Sequence, residues 1–221
     1  MLPDQQWQLE YDIVHAVDKE EFQQRINQGW RRFGDMLFRP QCPSCTACQP
    51  IRIPVDRYQP NRSQKRVRKA NAGTVLKVQD PVLEYDRLML YLKHHLHHAK
   101  QKGWPTPDPE GSAKSIHQII SGSLPVKEWA FYHDEKLVGI LYVDVLPEGY
   151  SGIYSYYDPD YRHLSLGTFM CMAMIDEAVK HALPYVFLGY YVKGCRSMEY
   201  KGKFAPNQIL VGDNVWVDFL E

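Results

Sequence analysis

The chain has 221 residues, a formal net charge of +0, and 44% hydrophobic and 24% charged residues. That length fits one compact domain or two small ones, and the composition is ordinary for a soluble globular protein. No apolar run approaches the roughly 18 residues needed to cross a bilayer, and the opening MLPDQQWQLEYD has neither the basic nor the apolar region of a signal peptide. The five cysteines therefore read as reduced thiols, and a cytoplasmic location is expected.

In chain order, WQLEYDIV (7–14) reads as a strand. Asp18 with Glu21 caps a helix that Gly29 closes. MLFRP (36–40) and IRIPV (51–55) read as strands around a cysteine loop, and Asn61 or Ser63 caps a short basic helix that runs to about Ala70. VLKVQ (75–79) is a strand. A long helix is predicted over 81–102, with Tyr85, Leu88, Leu92, Leu96 and Ala99 on its apolar face. Gly103, Trp104 and three prolines form a loop, followed by a helix over 112–121. WAFYH, LVGILYVDVL and YSGIYSYY make a strand meander, 164–181 a strongly apolar helix, YVFLGYYV a strand, and VWVDF a last strand. The order helix, helix, antiparallel strands, buried helix, strand predicts an α/β (α+β), acetyltransferase-like fold with a mixed central sheet and flanking helices. A small N-terminal α/β part over 1–80, carrying the cysteine loop and basic segment, is expected to precede a catalytic part over 81–221.

Chemistry concentrates in three places. Cys42, Cys45 and Cys48 are spaced C-x-x-C-x-x-C. Three thiolates can share a metal, but a closed zinc or iron–sulfur site needs four ligands, and Cys171 and Cys195 are distant in sequence. The three are read as structural, small buried thiols bracing a proline-rich loop, with no metal expected. Between Arg52 and Lys69 stand seven Lys or Arg against one acid, Asp56. Arg62, Lys65, Arg66 and Lys69 lie at i, i+3, i+4 and i+7, so a helix puts them on one face where they can follow a phosphate backbone or simply meet solvent. The loop from Tyr156–Tyr157–Asp158–Pro159 to Ser165–Leu166–Gly167–Thr168 runs from a strand into a helix, whose first amides can hold an anion or polarise a carbonyl. A fourth feature, His94, His95, His97 and His98, is read as a surface cluster.

Two long blocks carry a family resemblance. FRPQCPSCTACQPIRIPVDRY with RSQKRVRKAN, and YSYYDPDYRHLSLGTF with LPYVFLGYYVKGCRSMEYKGKFAP, resemble the aminoacyl-tRNA–protein transferases, the leucyl enzymes of bacteria and the arginyl enzymes of eukaryotes. The resemblance runs in order from about Asp4 to Trp216. It implies transfer of an amino acid, leucine first and arginine second, from aminoacyl-tRNA to proteins with N-terminal Asp or Glu, marking them for N-end-rule degradation. It implies no membrane and no DNA as partners. Under it, Arg62, Lys65, Arg66 and Lys69 contact tRNA, while Arg52, Lys201, Tyr190 and Tyr191 hold the acceptor N-terminus. Tyr157, Asp158, Ser165 and Gly167 serve the reaction centre, Asp158 by orienting the amine or the ribose.

The family often carries a further cysteine motif ahead of a Leu-Pro segment, and this chain opens on Met1–Leu2–Pro3. The residues linked to cluster binding in eukaryotic relatives are therefore expected to be missing, and no cofactor is expected. The Gly-x-Gly or Gly-x-Ala spacing of acetyl-CoA sites is absent around Gly167. An acetyl-CoA-dependent N-acetyltransferase, and a non-enzymatic module that binds tRNA or acidic N-termini, remain the alternatives.

Overall fold

The computed structural model describes residues 7–219. Strand β1 (Leu9–Ile13), helix α1 (Lys19–Asn27), β2 (Arg31–Phe33) and β3 (Met36–Pro40) open the chain, and the three strands form a small sheet in the order β1-β3-β2. Then follow β4 (Gln49–Pro54), α2 (Arg62–Ala70), β5 (Thr74–Gln79), α3 (Tyr85–Lys102), α4 (Pro109–Ile120), β6 (Val126–His133), β7 (Lys136–Leu146) and β8 (Gly149–Tyr157). A 3-10 turn (Pro159–Leu164) leads into α5 (Leu166–Lys180), β9 (Tyr185–Tyr191), α6 (Arg196–Glu199), a second 3-10 turn (Tyr200–Lys203), β10 (Gln208–Gly212) and β11 (Val215–Asp218).

The large sheet has the order β11-β10-β4-β9-β8-β7-β6-β5 and is mixed, with β8 and β9 parallel and its other neighbours antiparallel. The expected acetyltransferase-like architecture is therefore the one observed. Both β4 and β5, which precede residue 80, are strands of this sheet, so the expected boundary does not coincide with a break in it.

Strand alternation sorts side chains onto two faces. Trp129, Phe131, Leu141 and Val143 pack with Met170, Met174 and Ile175 of α5. Ala130, Ile140 and Tyr142 pack with Leu90 and Tyr91 of α3 and Ile116 and Ile119 of α4. A third cluster joins Phe22 and Ile26 of α1 to Leu37, Leu146 and Phe187. Among the described residues no helix is long and apolar enough to cross a membrane.

Local signals explain most elements. Asp18 accepts from the Glu21 amide and opens α1. Asn61, rather than Ser63, caps α2 in a reciprocal box with Gln64. Helix α3 departs from expectation: it starts at Tyr85, not Pro81, and its inward face carries Arg87, Leu90, Tyr91 and His94. Tyr85 is 77% exposed and Leu96 is 39% exposed, although both fall on the predicted apolar face. The cause is ionic. Arg87 is drawn inward by Glu128, which is fully buried, at 3.1 Å. Strand β2 also escapes a period-two reading, because its Arg31 and Arg32 are buried cations. Arg32 meets Asp144 through Nε at 2.8 Å and Nη2 at 2.5 Å, tying the small sheet to β7.

Candidate active site

The parallel pair β8 and β9 stays in register only at Gly149↔Tyr185, Tyr150↔Val186 and Ser151↔Phe187. Beyond Ser151 the strands part. A cavity of about 730 Å3 opens in the gap, lined by Gly152 to Ser155 and Tyr157 of β8 and Leu188 of β9. It lies at the carboxyl ends of two parallel strands, where α/β sheets offer free backbone groups and room for a ligand. Ser165, Leu166, Gly167 and Thr168, at the start of α5, form another wall, and no side chain caps that helix end. The Thr168 and Phe169 amides donate to the Ser165 carbonyl, which leaves those of Leu166 and Gly167 to meet an anion or a developing oxyanion.

Ser165 adopts a left-handed φ of 51°, a strained conformation for a residue with a side chain. The conformation ends the 3-10 turn and redirects the chain into α5. The Tyr157 ring stands over the helix start, where a Cβ on Gly167 would meet its Cε1 at 3.6 Å and its hydroxyl at 3.9 Å in ordinary contact. Burial pushes the Tyr157 phenol up, which keeps it a neutral donor. Tyr157, Ser165 and Gly167 therefore converge on one cavity.

Asp158 does not line it. Its carboxylate sits between Lys93 at 2.6 Å and Lys136 at 3.4 Å and accepts from the Asp160 amide. Burial alone would raise its pKa, but these partners together hold it below the ordinary value. Arg52 lies elsewhere as well. Its strand neighbours Ile51 and Ile53 join the α5 core, whereas Arg52 stacks at 3.7 Å from the Tyr185 ring centroid and 4.4 Å from that of Trp216. Its Nε donates to Gln208. Tyr190 points away from the cavity, donating its hydroxyl to the Gly29 carbonyl under Arg31. Tyr191 packs in the core, 4.9 Å from Phe219.

Lys201 does line the cavity. Its ammonium reaches the Tyr190 carbonyl at 3.1 Å and Met198 Sδ at 3.4 Å. Burial, reinforced by nearby Arg31, pulls its pKa down to about 8 against an opposing effect of Cys171. Arg31, which sequence reasoning missed, is itself deeply buried and donates to the carbonyls of Trp30 and Gly189. The basic character of the cavity extends to Lys102, Arg162 and Arg196, and among the described residues none lining it is Asp or Glu. One part of the lining is apolar: Leu141, Met170, Met174 and Leu188.

Arg62, Lys65, Arg66 and Lys69 are exposed on α2, whereas Arg68 is held by Asp176 at 2.9 Å. Helix α2 is anchored beside the cavity. Asn71, at its end, donates to the Leu164 carbonyl at 2.7 Å, and Gln64 donates to the Lys203 carbonyl.

Two sequence expectations are corrected. The cysteine loop is not buried: Cys48 is exposed and Cys42 and Cys45 are half-buried. Nor is Cys195 remote. Partial burial pushes the Cys48 thiol up, and so do the neighbouring thiols of Cys42, Cys45 and Cys195. These side chains do not form a ligand set as they stand. Cys42 engages the Gln8 backbone and Cys195 engages Ser197, and among the described residues no group of three or more His, Cys, Asp or Glu is placed to hold a metal. The histidine tract is not a surface cluster either. His94 is 6% exposed and shares its Nδ1 with the Tyr157 backbone at 2.9 Å, and both His94 and His98 line the cavity.

Comparison with known proteins agrees with this architecture. Residues 2–66 match the model of the N terminus of arginine-tRNA-protein transferases, and residues 86–211 match that of their C terminus. The chain is 38% identical over 213 residues to an aspartate/glutamate leucyltransferase of Campylobacter jejuni, covering 96% of this chain and 88% of the relative. It is 33% identical over 219 residues to another of that name from Pseudomonas syringae, covering 98% and 91%. In fold it is similar to FemX, at a TM-score of 0.50 and 11% identity, covering 87% of this chain and 66% of that one. It is also similar to a DUF2156 domain from Agrobacterium fabrum, at a TM-score of 0.51 and 11% identity, covering 76% and 61%. Matched through both halves and nearly end to end, the chain belongs to the arginine-tRNA-protein transferase family and is an aminoacyl-tRNA–protein transferase.

Proposed function

We propose that the protein transfers leucine from leucyl-tRNA to proteins that begin with Asp or Glu. The observation that carries this reading is the lining of the cavity: apolar at Leu141, Met170, Met174 and Leu188, otherwise basic or neutral, with no acid among the described residues. A leucyl side chain finds apolar walls there. An arginyl side chain finds no carboxylate, so its desolvation goes uncompensated. The names of the curated relatives support the same donor and acceptors.

On this reading Lys201 receives the acceptor's side-chain carboxylate, since its buried ammonium is held by a carbonyl and a thioether. The acceptor α-amine, neutral in a substantial fraction near its ordinary pKa of about 7.7–8.0, attacks the ester carbonyl. A carbon–nitrogen bond forms as the carbon–oxygen bond to the ribose breaks, and the amine proton passes to the departing ribose oxygen. The oxyanion is stabilised by amides at the start of α5 and by the Tyr157 hydroxyl. The ester is already activated, so holding the partners in place supplies most of the acceleration, and the scheme uses no metal or nucleotide. The exposed cations of α2 lead the tRNA backbone toward the cavity. Marking of substrates for N-end-rule degradation in the cytoplasm belongs to the same proposal.

The test is a transfer assay with leucyl-tRNA or arginyl-tRNA, labelled on the amino acid, and peptides beginning with Asp, Glu or Ala. Leucine moving to the Asp and Glu peptides is the expected result. Movement of arginine in preference to leucine would overturn the donor assignment. Bound tRNA without transfer would leave a binding module.

A further inference from the structure

The histidine tract and Trp104 form a part of the cavity that the reaction scheme leaves unused. Trp104 is 41% exposed and follows directly on α3. Its ring centroid lies 4.9 Å from that of His98 and 5.6 Å from that of His95. His98 in turn meets His94 edge-on at 4.5 Å. His95 is fixed by stacking on Tyr91 at 4.1 Å and by a 2.8 Å bond to the Tyr154 hydroxyl. The Lys102 ammonium stands 5.5 Å from the Trp104 ring centroid. Of these groups, His94, His98, Lys102 and Trp104 line the same cavity as the start of α5.

We propose that Trp104 and His98 form a stacking seat for the purine base of the donor's terminal 3′ nucleotide, with Lys102 and Arg162 facing the adjoining phosphate. This rests on the aminoacyl-tRNA donor reading and deepens it. A nucleoside carries a flat apolar face, hydrogen-bonding edges and a linked anion. The seat supplies aromatic faces, a buried Nδ1 on His98 that has no partner among the described residues, and two cations. Burial holds His94 down to about 4 and also lowers His98, so these imidazoles are neutral near pH 7 and repel no cation nearby. The volume fits as well. About 730 Å3 exceeds what a leucyl group alone fills and falls within the roughly 300–1,000 Å3 of sites for molecules of nucleoside size. An acidic peptide is the poorer occupant at this end, because it brings no planar group to the aromatic faces, whereas Lys201 offers a buried cation on another wall.

The experiment compares two leucylated acceptor-stem minihelices. One ends in adenosine. The other carries an abasic ribose at that position and is otherwise identical. Transfer to an Asp peptide is measured as kcat/KM for the full-length wild type, Trp104→Ala, Trp104→Phe and His98→Ala. Stacking of one base on an aromatic ring corresponds to about a five- to 150-fold preference, so the wild type should favour the adenosine minihelix by that factor. Trp104→Ala should bring the ratio close to one, His98→Ala should lower it in part, and Trp104→Phe should keep most of it. The preservation by phenylalanine separates stacking from a folding defect. Transfer that proceeds with the same ratio in wild type and Trp104→Ala overturns the seat and leaves the donor reading intact. A wild type that neither binds nor uses either minihelix overturns both.

Discussion

Replacing Lys201 by methionine removes a buried charge while keeping most of the side-chain volume. In the folded chain its pKa is held at about 8, against an ordinary 10.5, chiefly by burial. The difference, 10.5 − 8 = 2.5 pH units, corresponds to roughly 3 kcal/mol of strain on the charged form. The sign follows from proton binding. The folded pKa lies below the unfolded one, so between about pH 8 and 10.5 the unfolded chain holds more proton, and stability rises with pH through that window. Below pH 8 the full penalty applies. Methionine removes it and forfeits the 3.1 Å bond to the Tyr190 carbonyl, worth about 1 kcal/mol. Lys201→Met should therefore be more stable than the wild type by about 2 kcal/mol at pH 7, with the advantage gone near pH 10.5. Urea unfolding across that range measures it. The same variant should lose about 10- to 100-fold in kcat/KM for Asp and Glu peptides, the usual worth of a hydrogen bond to a charged group. A variant less stable than the wild type at pH 7, or one that still prefers acidic acceptors, would refute the reasoning.

Other consequences follow from neighbouring features. Gly152 leaves a Cβ position 3.5 Å from Met174 Sδ and 3.8 Å from Leu141 Cδ1, so the methyls of Gly152→Val enter the apolar part of the cavity. Single-turnover transfer from leucyl-tRNA should fall by about tenfold or more while the unfolding midpoint barely moves; an unchanged rate would place the leucyl group elsewhere. The Arg66→Glu/Lys69→Glu double variant should weaken tRNA binding and flatten its dependence on log salt, read by filter binding across a salt series. Arg32→Met should cost about 3–5 kcal/mol in chemical unfolding by stranding Asp144, and adding Asp144→Leu should recover much of that loss. Elemental analysis of purified protein should give substoichiometric zinc and iron. A full equivalent of either metal would overturn the reading of Cys42, Cys45 and Cys48 as free thiols.

The sequence by itself determined what depends on near neighbours in the chain. The Asp18 cap, a cap of α2 at Asn61 or Ser63, the β6 to β8 meander and the apolar α5 are set by residues within a few positions of one another and could be read locally, the structure choosing Asn61. So could the basic face of α2, which repeats at helical spacing, and the loop that opens the cavity at Tyr157, Ser165 and Gly167. Tertiary structure decided what depends on partners far apart. Nothing adjacent in the chain marks Arg32, Arg87 and Arg31 as buried, and it is Asp144, Glu128 and the Gly189 carbonyl that draw them inward. Arg52 and Asp158 have the right chemistry for a reaction centre, but Tyr185 with Trp216 and Lys93 with Lys136 engage them away from the cavity. The histidine tract turned inward for the same reason, because a neutral imidazole can satisfy the backbone of Tyr157 at low desolvation cost. Above all, the parting of β8 from β9 after Ser151 is a property of strand pairing across 36 residues of sequence, counted from Ser151 to its partner Phe187, and no local pattern encodes the cavity it creates.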